Sequence, residues 1–379
     1  MANKPTYDIA IVGGGLAGLC LSIQAAAKGY SVVLLEKEQY PFHRVCGEYI
    51  SNESRPFLER LGVPLSNWHL PEINTLHASD VHGNVSKFSL PLGGFGVSRF
   101  KLDYCLYELA LQNGVNVLTG WKTNDIQHSE EYCTVTGINN NITATVGVGC
   151  FGKRSNIDVK WERSFVNQKG KGLNNYIGIK YHIKYPHAEN VIALHNFKDG
   201  YCGISKIEDD KYCLCYLTTA ANLRSHGNTI KQMEEELLFK NPFLKSIFST
   251  AKFLYDKPIA ISQVSFSRKE QVENHILLAG DAAGMITPLC GNGMSMAMHG
   301  SKVAFDAIDA FLAGRTDRAT MEDMYRTEWK KLFSSRLWMG RMVQQLFGGN
   351  QSTSLFFKAM SSFPSLATQL IKATHGSPF

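Results

Sequence analysis

The N-terminal third of the chain carries the pattern of a βαβ unit. The apolar run Tyr7–Val12 predicts a buried strand, residues 16–28 form an apolar stretch of helical length, and residues 31–35 form a second apolar run. From residue 115 to 149 short runs typical of strands follow, and the asparagines at 139–141 mark a hairpin turn. The pattern therefore predicts parallel strands around a helix, followed by β-hairpins.

The second half of the chain has a different period. Between about residues 159 and 267 apolar, aromatic and polar residues alternate, which predicts an antiparallel sheet, with a helix near residues 229–239. A strand at Ile276–Leu278 precedes a glycine-rich turn and a helix from about residue 294 to 311. After Arg318 the spacing stays helical and mixes basic with apolar residues, which is compatible with a packing cap or with a membrane-contacting amphipathic helix.

Composition narrows the class of protein. The 379 residues suggest two or three domains, and 44% hydrophobic with 19% charged residues is typical of a globular protein with a sizeable core. The net charge of +6 comes without a dense Lys/Arg block, so we expect no nucleic-acid partner. Nine cysteines without a CxxC pair indicate a reducing compartment. No signal-peptide pattern and no apolar run of about 18 residues is found, so we expect a cytoplasmic protein.

The first motif lies between the first predicted strand and helix. Gly13, Gly15 and Gly18 form G-x-G-x-x-G, in which the first glycine permits a tight turn, the second admits a pyrophosphate and the third lets the helix pack closely. The helix N-terminus offers N–H groups to phosphates. Glu36, eighteen residues after Gly18, can accept hydrogen bonds from ribose hydroxyls. The motif predicts a dinucleotide site and fits NAD and FAD equally well.

A second glycine-rich motif distinguishes FAD from NAD. Residues 276–284 read ILLAGDAAG and residues 288–294 read PLCGNGM. FAD is long and extended, so its ribityl chain and ring need an anchoring site remote from the first motif. The segment resembles the C-terminal flavin motif of FAD-dependent hydroxylases and reductases, in which an Asp at the position of Asp281 binds the ribityl chain. The helix start at 291–294 would offer backbone N–H groups to the pyrophosphate and the ring edge.

A third segment, residues 41–51, reads PFHRVCGEYIS and passes beside the flavin in proteins of this fold. Together with the second motif and with residues 98–103, SRFKLD, it resembles the geranylgeranyl reductase family, a neighbour of the flavin-dependent halogenases. That family has a K/R-x-C-G-[GDE]-x-[LI]-[ST] loop, a GDAAG-x3-PL-x-G-x-G segment and an R-x-x-[FL]-D motif whose Arg contacts the flavin. The resemblance covers roughly residues 5–310.

The resemblance implies non-covalently bound FAD and a catalytic cysteine. Cys46 would lie over the flavin ring, in an electropositive setting made by Arg44 and the positive end of the helix at 291–294, and would serve as the acid. The cofactor-binding residues that the motifs and the resemblance indicate are Gly13, Gly15, Ala17, Gly18, Glu36, Lys37, Arg44, Cys46, Gly47, Arg99, Asp281, Gly291, Asn292, Gly293 and Met294.

Departures from the family pattern affect the expected reaction. Phe151 stands where most relatives carry the acid of A-D-G-x-x-S, which helps to hold an incoming nicotinamide. The electron donor is therefore open between NAD(P)H and a protein. The family's Y-x-W-x-F-P segment is echoed only by residues 201–205, without the Trp and the Pro. No W-x-W-x-I-P segment is found, which argues against a halogenase, and the histidines show no metal-ligand spacing, so we expect no metal.

We therefore predict an α/β protein with a Rossmann-like FAD-binding domain (residues 1–158 and 268–318), an inserted antiparallel β-sheet substrate domain (159–267) and a helical C-terminal tail (319–379). The resemblance implies an FAD-dependent oxidoreductase that reduces C=C bonds of an isoprenoid-like or other extended apolar substrate. An FAD-dependent monooxygenase for an aromatic or polyene-type substrate is one alternative. A non-catalytic flavin-binding assembly or redox-sensing protein is another. The partners that we expect are a small apolar or aromatic substrate, an electron-donor protein and a peripheral membrane contact.

Overall fold

The computed structural model describes residues 5–129, 131–138, 140–166, 174–288, 291–346, 349–362 and 364–379. These residues form two sheets and the helices around them. The strands in chain order are β1 Tyr7–Val12, β2 Val32–Glu36, β3 Tyr49–Ser51, β4 Glu72–Ser79, β5 Val85–Gly96, β6 Asn116–Thr119, β7 Asp125–Ser129, β8 Tyr132–Thr136, β9 Asn141–Gly149, β10 Asn174–Lys184, β11 Val191–Phe197, β12 Gly200–Lys206, β13 Tyr212–Thr219, β14 Lys252–Phe253, β15 Ile259–Ser265, β16 Val272–Glu273 and β17 Ile276–Leu278.

The helices match the predicted positions to within a few residues where a prediction was made. In chain order they are α1 Leu16–Ala27, α2 Arg55–Arg60, α3 Arg99–Gln112, α4 Asn156–Lys160, α5 Ala220–Ser225, α6 Ile230–Glu236, α7 Pro242–Thr250, α8 Gly293–Leu312, α9 Arg318–Leu346, α10 Asn350–Ser362 and α11 Pro364–Thr374. Short 3-10 turns lie at Asn52–Ser54, Leu65–Trp68, Leu238–Lys240 and Gly280–Ala282.

The predicted βαβ unit forms the centre of the first sheet. The strand order is β16-β17-β9-β1-β2-β6, and the antiparallel hairpin β7–β8 extends from β9. β1 is parallel to both β2 and β9, and β17 is parallel to β9. Because parallel strands end at one edge of a sheet, the turns after β1, β2 and β17 lie side by side. That edge is where open α/β sheets bind ligands.

Alternate residues of β1 face two separate hydrophobic layers. Ile9 and Ile11 pack with α1, α3 and α8 in the largest core cluster. Ala10 and Val12 face the β7–β8 hairpin and α4 in another cluster. All four side chains are at least 96% buried. A parallel strand covered on both sides has no solvent face, which explains why the run is apolar throughout instead of alternating.

The second sheet has the strand order β14-β10-β13-β12-β11-β4-β5-β3, and β15 pairs with β10. Its neighbouring strands are antiparallel, as the sequence predicts, except that β4 runs parallel to β11. One face carries apolar side chains that pack against α6 and α7. The other face turns toward the first sheet and the segments after β2 and β17.

The sheets divide the chain differently from the predicted domain boundaries. β3, β4 and β5 lie within residues 1–158, which the sequence assigns to the FAD-binding domain, yet they pair in the second sheet. The pairing of Thr75 with Val191 joins residues far apart in the chain. Local apolar periodicity describes one strand at a time and carries no information on its distant partner. The predicted boundary at 158 therefore misplaces these three strands.

Strand β10 presents different chemistry on its two faces. Ile179 and Tyr181 point into the apolar core beneath the sheet. Lys180 and His182 point the opposite way and are 0% and 2% exposed, respectively. This alternation follows from the two-residue period of a strand. It delivers one ammonium group and one imidazole to the buried interface with the first domain.

The C-terminal tail is helical, as predicted, and packs onto the first domain. Tyr325, Trp329 and Phe333 of α9, at helical spacing, join the largest core cluster. The Tyr325 hydroxyl donates a hydrogen bond of 2.5 Å to the carbonyl of Leu278 at the end of β17. No helix within the described ranges is long and apolar enough to cross a membrane. Peripheral membrane contact by the tail stays a prediction.

We expect Gly18→Ala to destabilise the fold, whereas Gly15→Ala does not. A Cβ atom at position 18 would lie 2.0 Å from the carbonyl oxygen of Gly13, so the strand-to-helix turn would have to open. A Cβ at position 15 meets only the Arg99 guanidinium, at 3.8 Å. Denaturant unfolding of FAD-free protein should show a loss of about 1–3 kcal/mol for Gly18→Ala and within about 0.5 kcal/mol for Gly15→Ala. Equal stability of the two variants would contradict this packing.

Candidate cofactor and active site

The glycine turn after β1 has the geometry that its sequence predicts. Gly13 has φ +110°, and a Cβ there would lie 2.3 Å from the carbonyl oxygen of Cys150. Gly18 touches the Gly13 carbonyl, so α1 starts directly on the strand. Gly15 faces open space in front of the first turn of α1. The three glycines thus provide the tight turn, the close packing and the free approach that a pyrophosphate needs.

A second helix N-terminus meets the first at this edge of the sheet. Gly280, with φ +64°, passes between the two helices, and its Cβ position lies 3.1 Å from the Cβ of Ala17 in α1 and 3.7 Å from that of Ala297 in α8. Asp281 and Gly293 line the cleft beside it. Both helix starts direct N–H groups and positive dipole ends outward, so the cleft favours an anion such as a diphosphate.

Two arginines and two carboxylates form a continuous ion-pair chain above the glycine turn. Arg44 Nη2 lies 3.0 Å from Glu36 Oε2, and Arg44 Nε lies 3.1 Å from Asp103 Oδ2. Arg99 binds both oxygens of Asp103, at 2.6 and 2.7 Å. The Gly14 N–H donates to Glu36 Oε2 at 2.8 Å. The carboxylates fix the two guanidinium groups, whose planar forks suit phosphate oxygens, beside the turn.

Side chains hold the backbone of the loop 44–48, the segment Arg44–Glu48 between β2 and β3, in one orientation. Four successive backbone carbonyls, those of residues 44–47, each accept a hydrogen bond from a side chain. In chain order the donors are Lys180 at 3.1 Å, Lys153 at 3.2 Å, Cys213 at 3.3 Å and Ser205 at 3.3 Å. Lys180, Cys213 and Ser205 belong to the second sheet. A trans peptide directs its N–H opposite to its carbonyl. The N–H groups of Val45, Gly47 and Glu48, which follow the three carbonyls held by the second sheet, therefore point away from that sheet.

These loop N–H groups fit a bound ligand. Within the described ranges, the N–H groups of Val45, Cys46, Gly47 and Glu48 have no protein acceptor. Val45 and Cys46 are half-buried and Gly47 is exposed, so these N–H groups are open to a ligand or to solvent. The loop can therefore donate hydrogen bonds to the carbonyl and nitrogen acceptors of a heterocyclic ring.

Glu48 anchors the loop to the second sheet through its side chain. The carboxylate is fully buried and accepts hydrogen bonds from Lys180 Nζ, from His182 Nε2 at 2.6 Å and from the Arg99 N–H at 2.8 Å. Glu48 has φ +57°, an unfavourable conformation for a residue with a side chain. Burial would raise the pKa of Glu48, but the charge of Lys180 and the hydrogen bond from His182 lower it to about 2. The carboxylate is therefore ionised at neutral pH.

Two buried cations hold the turn that carries Asp281. Lys269 Nζ donates to the carbonyls of Asp281 and Lys153 at 2.8 and 2.9 Å, and lies 4.5 Å from the Phe165 ring centre. Arg163 donates to the carbonyl of Ala282 at 3.0 Å. Burial lowers the pKa of Lys269 to about 8. The contacts fix the backbone of this turn, and Asp281 is one of the residues that line the cleft.

An apolar cluster adjoins both segments at the cleft. Leu194, Leu217 and Phe266 of the second domain pack with Met285, four residues after Asp281. The Cβ position of Gly178 in β10 lies 3.1 Å from Val45 of the loop 44–48 and 3.2 Å from Ile261 beside this cluster. The face of the second sheet that meets the cleft is therefore polar at Lys180 and His182 and apolar next to them.

The structure brings most of the predicted residues together. Gly13, Gly15, Ala17, Gly18 and Gly293 surround the two helix starts. Glu36, Arg44 and Arg99 form the ion-pair chain above them, and Asp281 lines the cleft. Cys46 and Gly47 lie in the loop 44–48, and Gly291 and Met294 flank the start of α8. Leu289 and Cys290 of the second motif, and Asn139 of the predicted hairpin turn, lie outside the described residues.

Two predicted residues have surroundings that the sequence does not suggest. The Lys37 side chain is 70% exposed and pairs with Glu38 at 3.6 Å, so it points away from the cleft. The buried Asn292 side chain donates to the carbonyl of Thr374 in the tail, which leaves its backbone as the group near the cleft. Their roles in cofactor binding stay predictions.

Sequence reasoning missed the residues that support the loop. Lys180, His182 and Tyr255 lie far along the chain from Glu48 and match no motif. The sequence of β10 contains one indication of a buried polar cluster. Lys180 and His182 alternate with apolar residues on a strand whose two faces are both buried. Asp103 belongs to the quoted R-x-x-x-D segment, and its i,i+4 spacing from Arg99 could have predicted the pair.

The donor set fits FAD. Two helix N-termini and two arginines surround the space in front of Gly15, where a diphosphate can approach. Glu36 ends β2 at the position from which a carboxylate reaches a ribose. Farther along the cleft the loop 44–48 presents N–H groups without a protein acceptor in the described part of the chain. The order of these groups along the cleft matches the shape of an extended dinucleotide with a ring at one end.

Comparisons with known proteins agree with this fit. A family model described as FAD binding domain matches residues 6–334. Conditioned medium factor receptor 1 of Dictyostelium discoideum is 23% identical over 380 residues, which cover 91% of this chain and 71% of that protein. Digeranylgeranylglycerophospholipid reductase of Methanosarcina acetivorans is 22% identical over 359 residues, which cover 91% of this chain and 85% of that protein.

A solved structure of the flavin-dependent brominase Bmp2 has the same fold. It superposes with a TM-score of 0.77 at 19% identity, over 97% of this chain and 93% of the brominase. At this identity the likeness concerns the fold alone. The family model, in contrast, spans both glycine-rich motifs, the loop 44–48 and the ion-pair chain. The chain therefore belongs to the FAD binding domain family and is an FAD-dependent oxidoreductase.

Proposed function

We propose that this protein reduces C=C bonds of an isoprenoid-like or other extended apolar substrate. The observation that carries the proposal is the apolar cluster of Leu194, Leu217, Phe266 and Met285, which adjoins the Asp281 turn and, through Ile261, the loop 44–48. These side chains are buried against one another, and a substrate that enters between the Asp281 turn and the second sheet would contact them, which favours an apolar molecule. The similarity to a digeranylgeranylglycerophospholipid reductase supports the same substrate class.

Different residues of the chain would bind the cofactor, orient its ring, donate a proton and exclude water in such a reduction. FAD, when bound, supplies hydride chemistry. The arginine pair and the helix starts hold its diphosphate, and the loop 44–48 orients its ring through backbone N–H groups. Cys46 is half-buried in that loop and is the proposed proton donor to the carbon next to the reduced one. The apolar cluster keeps water away from the reacting bond.

The position of Phe151 favours a protein electron donor over NAD(P)H. Its ring packs against Gly149 and Trp161, so no carboxylate occupies this place beside the glycine turn. In relatives with the A-D-G-x-x-S motif the acid helps to hold a nicotinamide. We therefore propose that electrons reach the flavin from a redox protein.

Gly15→Ala should weaken FAD binding without loss of stability. The added methyl group projects into the space where the diphosphate approaches, and overpacking of about 1–3 kcal/mol corresponds to a loss of roughly one to two decades in affinity. Titration of FAD-free protein with FAD measures the affinity, and heat release of the wild-type cofactor into the supernatant checks that it is bound non-covalently. Unchanged affinity in Gly15→Ala would place the diphosphate elsewhere.

The reaction is tested with FAD-loaded protein reduced by dithionite without oxygen. A geranylgeranyl lipid added to it should gain two hydrogen atoms per reduced double bond, detected by mass spectrometry, while the flavin is reoxidised. A product that carries oxygen or halogen, formed only when O2 is admitted, would instead identify a monooxygenase or a halogenase. Absence of any product with either treatment would favour the non-catalytic flavin-binding alternative.

Cys46→Ser should separate substrate protonation from flavin binding. The change is nearly isosteric, so FAD content and flavin reduction should match the wild type, whereas substrate turnover should fall by roughly 10²-fold or more if the thiol delivers the proton. Cys105→Ser, at a half-buried cysteine of α3, is the matched control and should keep full turnover. If Cys46→Ser turned the substrate over at the wild-type rate, Cys46 would have a packing role only.

A further inference from the structure

A chain of hydrogen bonds between three side chains leads from the half-buried Tyr255 to the loop 44–48. The half-buried Tyr255 shares a short hydrogen bond with Nδ1 of His182, and His182 Nε2 lies 2.6 Å from Glu48 Oε2. His182 and Glu48 are 2% and 0% exposed. This chain of hydrogen bonds therefore connects solvent with a carboxylate that belongs to the flavin-binding loop.

The ionised carboxylate of Glu48 fixes the proton that lies between it and His182. Glu48 is ionised and can only accept, so His182 Nε2 carries the proton of that bond. In the neutral tautomer that donates from Nε2, the other ring nitrogen, Nδ1, accepts a hydrogen bond from the Tyr255 hydroxyl. Lys180 supplies the positive charge that balances Glu48. In this tautomer the cluster of Glu48, Lys180 and His182 has no net charge, and His182 Nδ1 is bonded to Tyr255 but carries no proton of its own.

His182 is the group in this cluster that can take a further proton. The groups that face it are Glu48 and His43 from the first domain, Lys180 and Cys213 from the second sheet, and Tyr255. Burial lowers the pKa of His43 to about 4, so that ring stays neutral. Burial raises the pKa of the Cys213 thiol, and Lys180 is already protonated.

The same atoms do not make a metal site. The oxygen of Glu48, the ring nitrogen of His182 and the sulfur of Cys213 lie within 4.8 Å of one another. However, the Lys180 ammonium already binds Glu48, both nitrogens of His182 are engaged, and the Cys213 thiol donates to the Cys46 carbonyl. A divalent cation would have to displace a cation and deprotonate a buried thiol.

We propose that Tyr255, His182 and Glu48 form a redox-linked proton site, in which His182 takes up a proton from solvent when the flavin is reduced. A protein or small-molecule donor loses two electrons and the flavin gains them, which adds negative charge on the cofactor side of the loop. The Tyr255 hydroxyl proton moves to His182 Nδ1, and solvent water returns a proton to the Tyr255 oxygen. The imidazolium, bound to Glu48, then offsets part of the added charge. The inference depends on FAD binding and is independent of the substrate.

His182→Gln tests the site directly. A glutamine amide can still donate to Glu48 but does not titrate. FAD-loaded protein is reduced without oxygen in weakly buffered solution at pH 7, and a pH indicator counts protons with the same reductant for every variant. Wild type should take up about one proton more per flavin than His182→Gln. His195→Gln changes another buried histidine of the second sheet, which bonds Ser79, and should behave as wild type.

Tyr255→Phe provides a second test that does not depend on the folding of the first variant. Without the hydroxyl the path to solvent is interrupted, so proton uptake should lag behind flavin reduction by roughly 10²-fold in stopped-flow records, whereas both are simultaneous in wild type. Equal proton uptake in wild type and His182→Gln, or simultaneous uptake in Tyr255→Phe, would overturn the proposal. Stoichiometric zinc in the purified protein would overturn it as well.

Discussion

The buried carboxylate of Glu48 links the loop 44–48 of the first domain to the second sheet. It accepts a backbone N–H from the start of α3 and two side-chain donors from β10, and its own backbone is held in a left-handed conformation. Removing one partner of a buried ion pair typically costs about 3–5 kcal/mol, because the remaining charge is left without compensation. The orientation of the loop 44–48 depends on this attachment, and so do the relative positions of the dinucleotide cleft and the second sheet.

Charge compensation follows the same rule on both sides of the loop. Above the glycine turn, Glu36 and Asp103 balance Arg44 and Arg99, and behind the loop Lys180 balances Glu48. Each of these charges thereby has an opposite charge beside it, in a setting where an unpaired buried charge is costly. The two regions differ in what they leave available. The arginines retain donors for a diphosphate, whereas in the cluster behind the loop His182 Nδ1, which is bonded to the Tyr255 hydroxyl, is the nitrogen that we propose takes up a proton.

The interface between the domains combines polar and apolar surfaces at close range. The polar part fixes the loop and can exchange protons with solvent through Tyr255. The apolar part, around Leu217 and Met285, is a buried cluster in which the hydroxyl group of Tyr201 is the polar exception. A reduction of a C=C bond needs both properties, since hydride transfer favours exclusion of water and the second carbon needs a proton.

The sequence by itself determined the parts of the site that local geometry dictates. A tight turn, a close helix contact and an open approach each require glycine, so the positions of Gly13, Gly18 and Gly15 could be predicted from spacing. The tertiary structure alone decided what surrounds the loop 44–48. Lys180 and His182 reach Glu48 because β10 pairs in a sheet that also includes β4 and β5, and such pairing depends on contacts between distant segments. A period of two places both residues on one face of a strand, but it cannot tell whether that face meets solvent or a buried carboxylate.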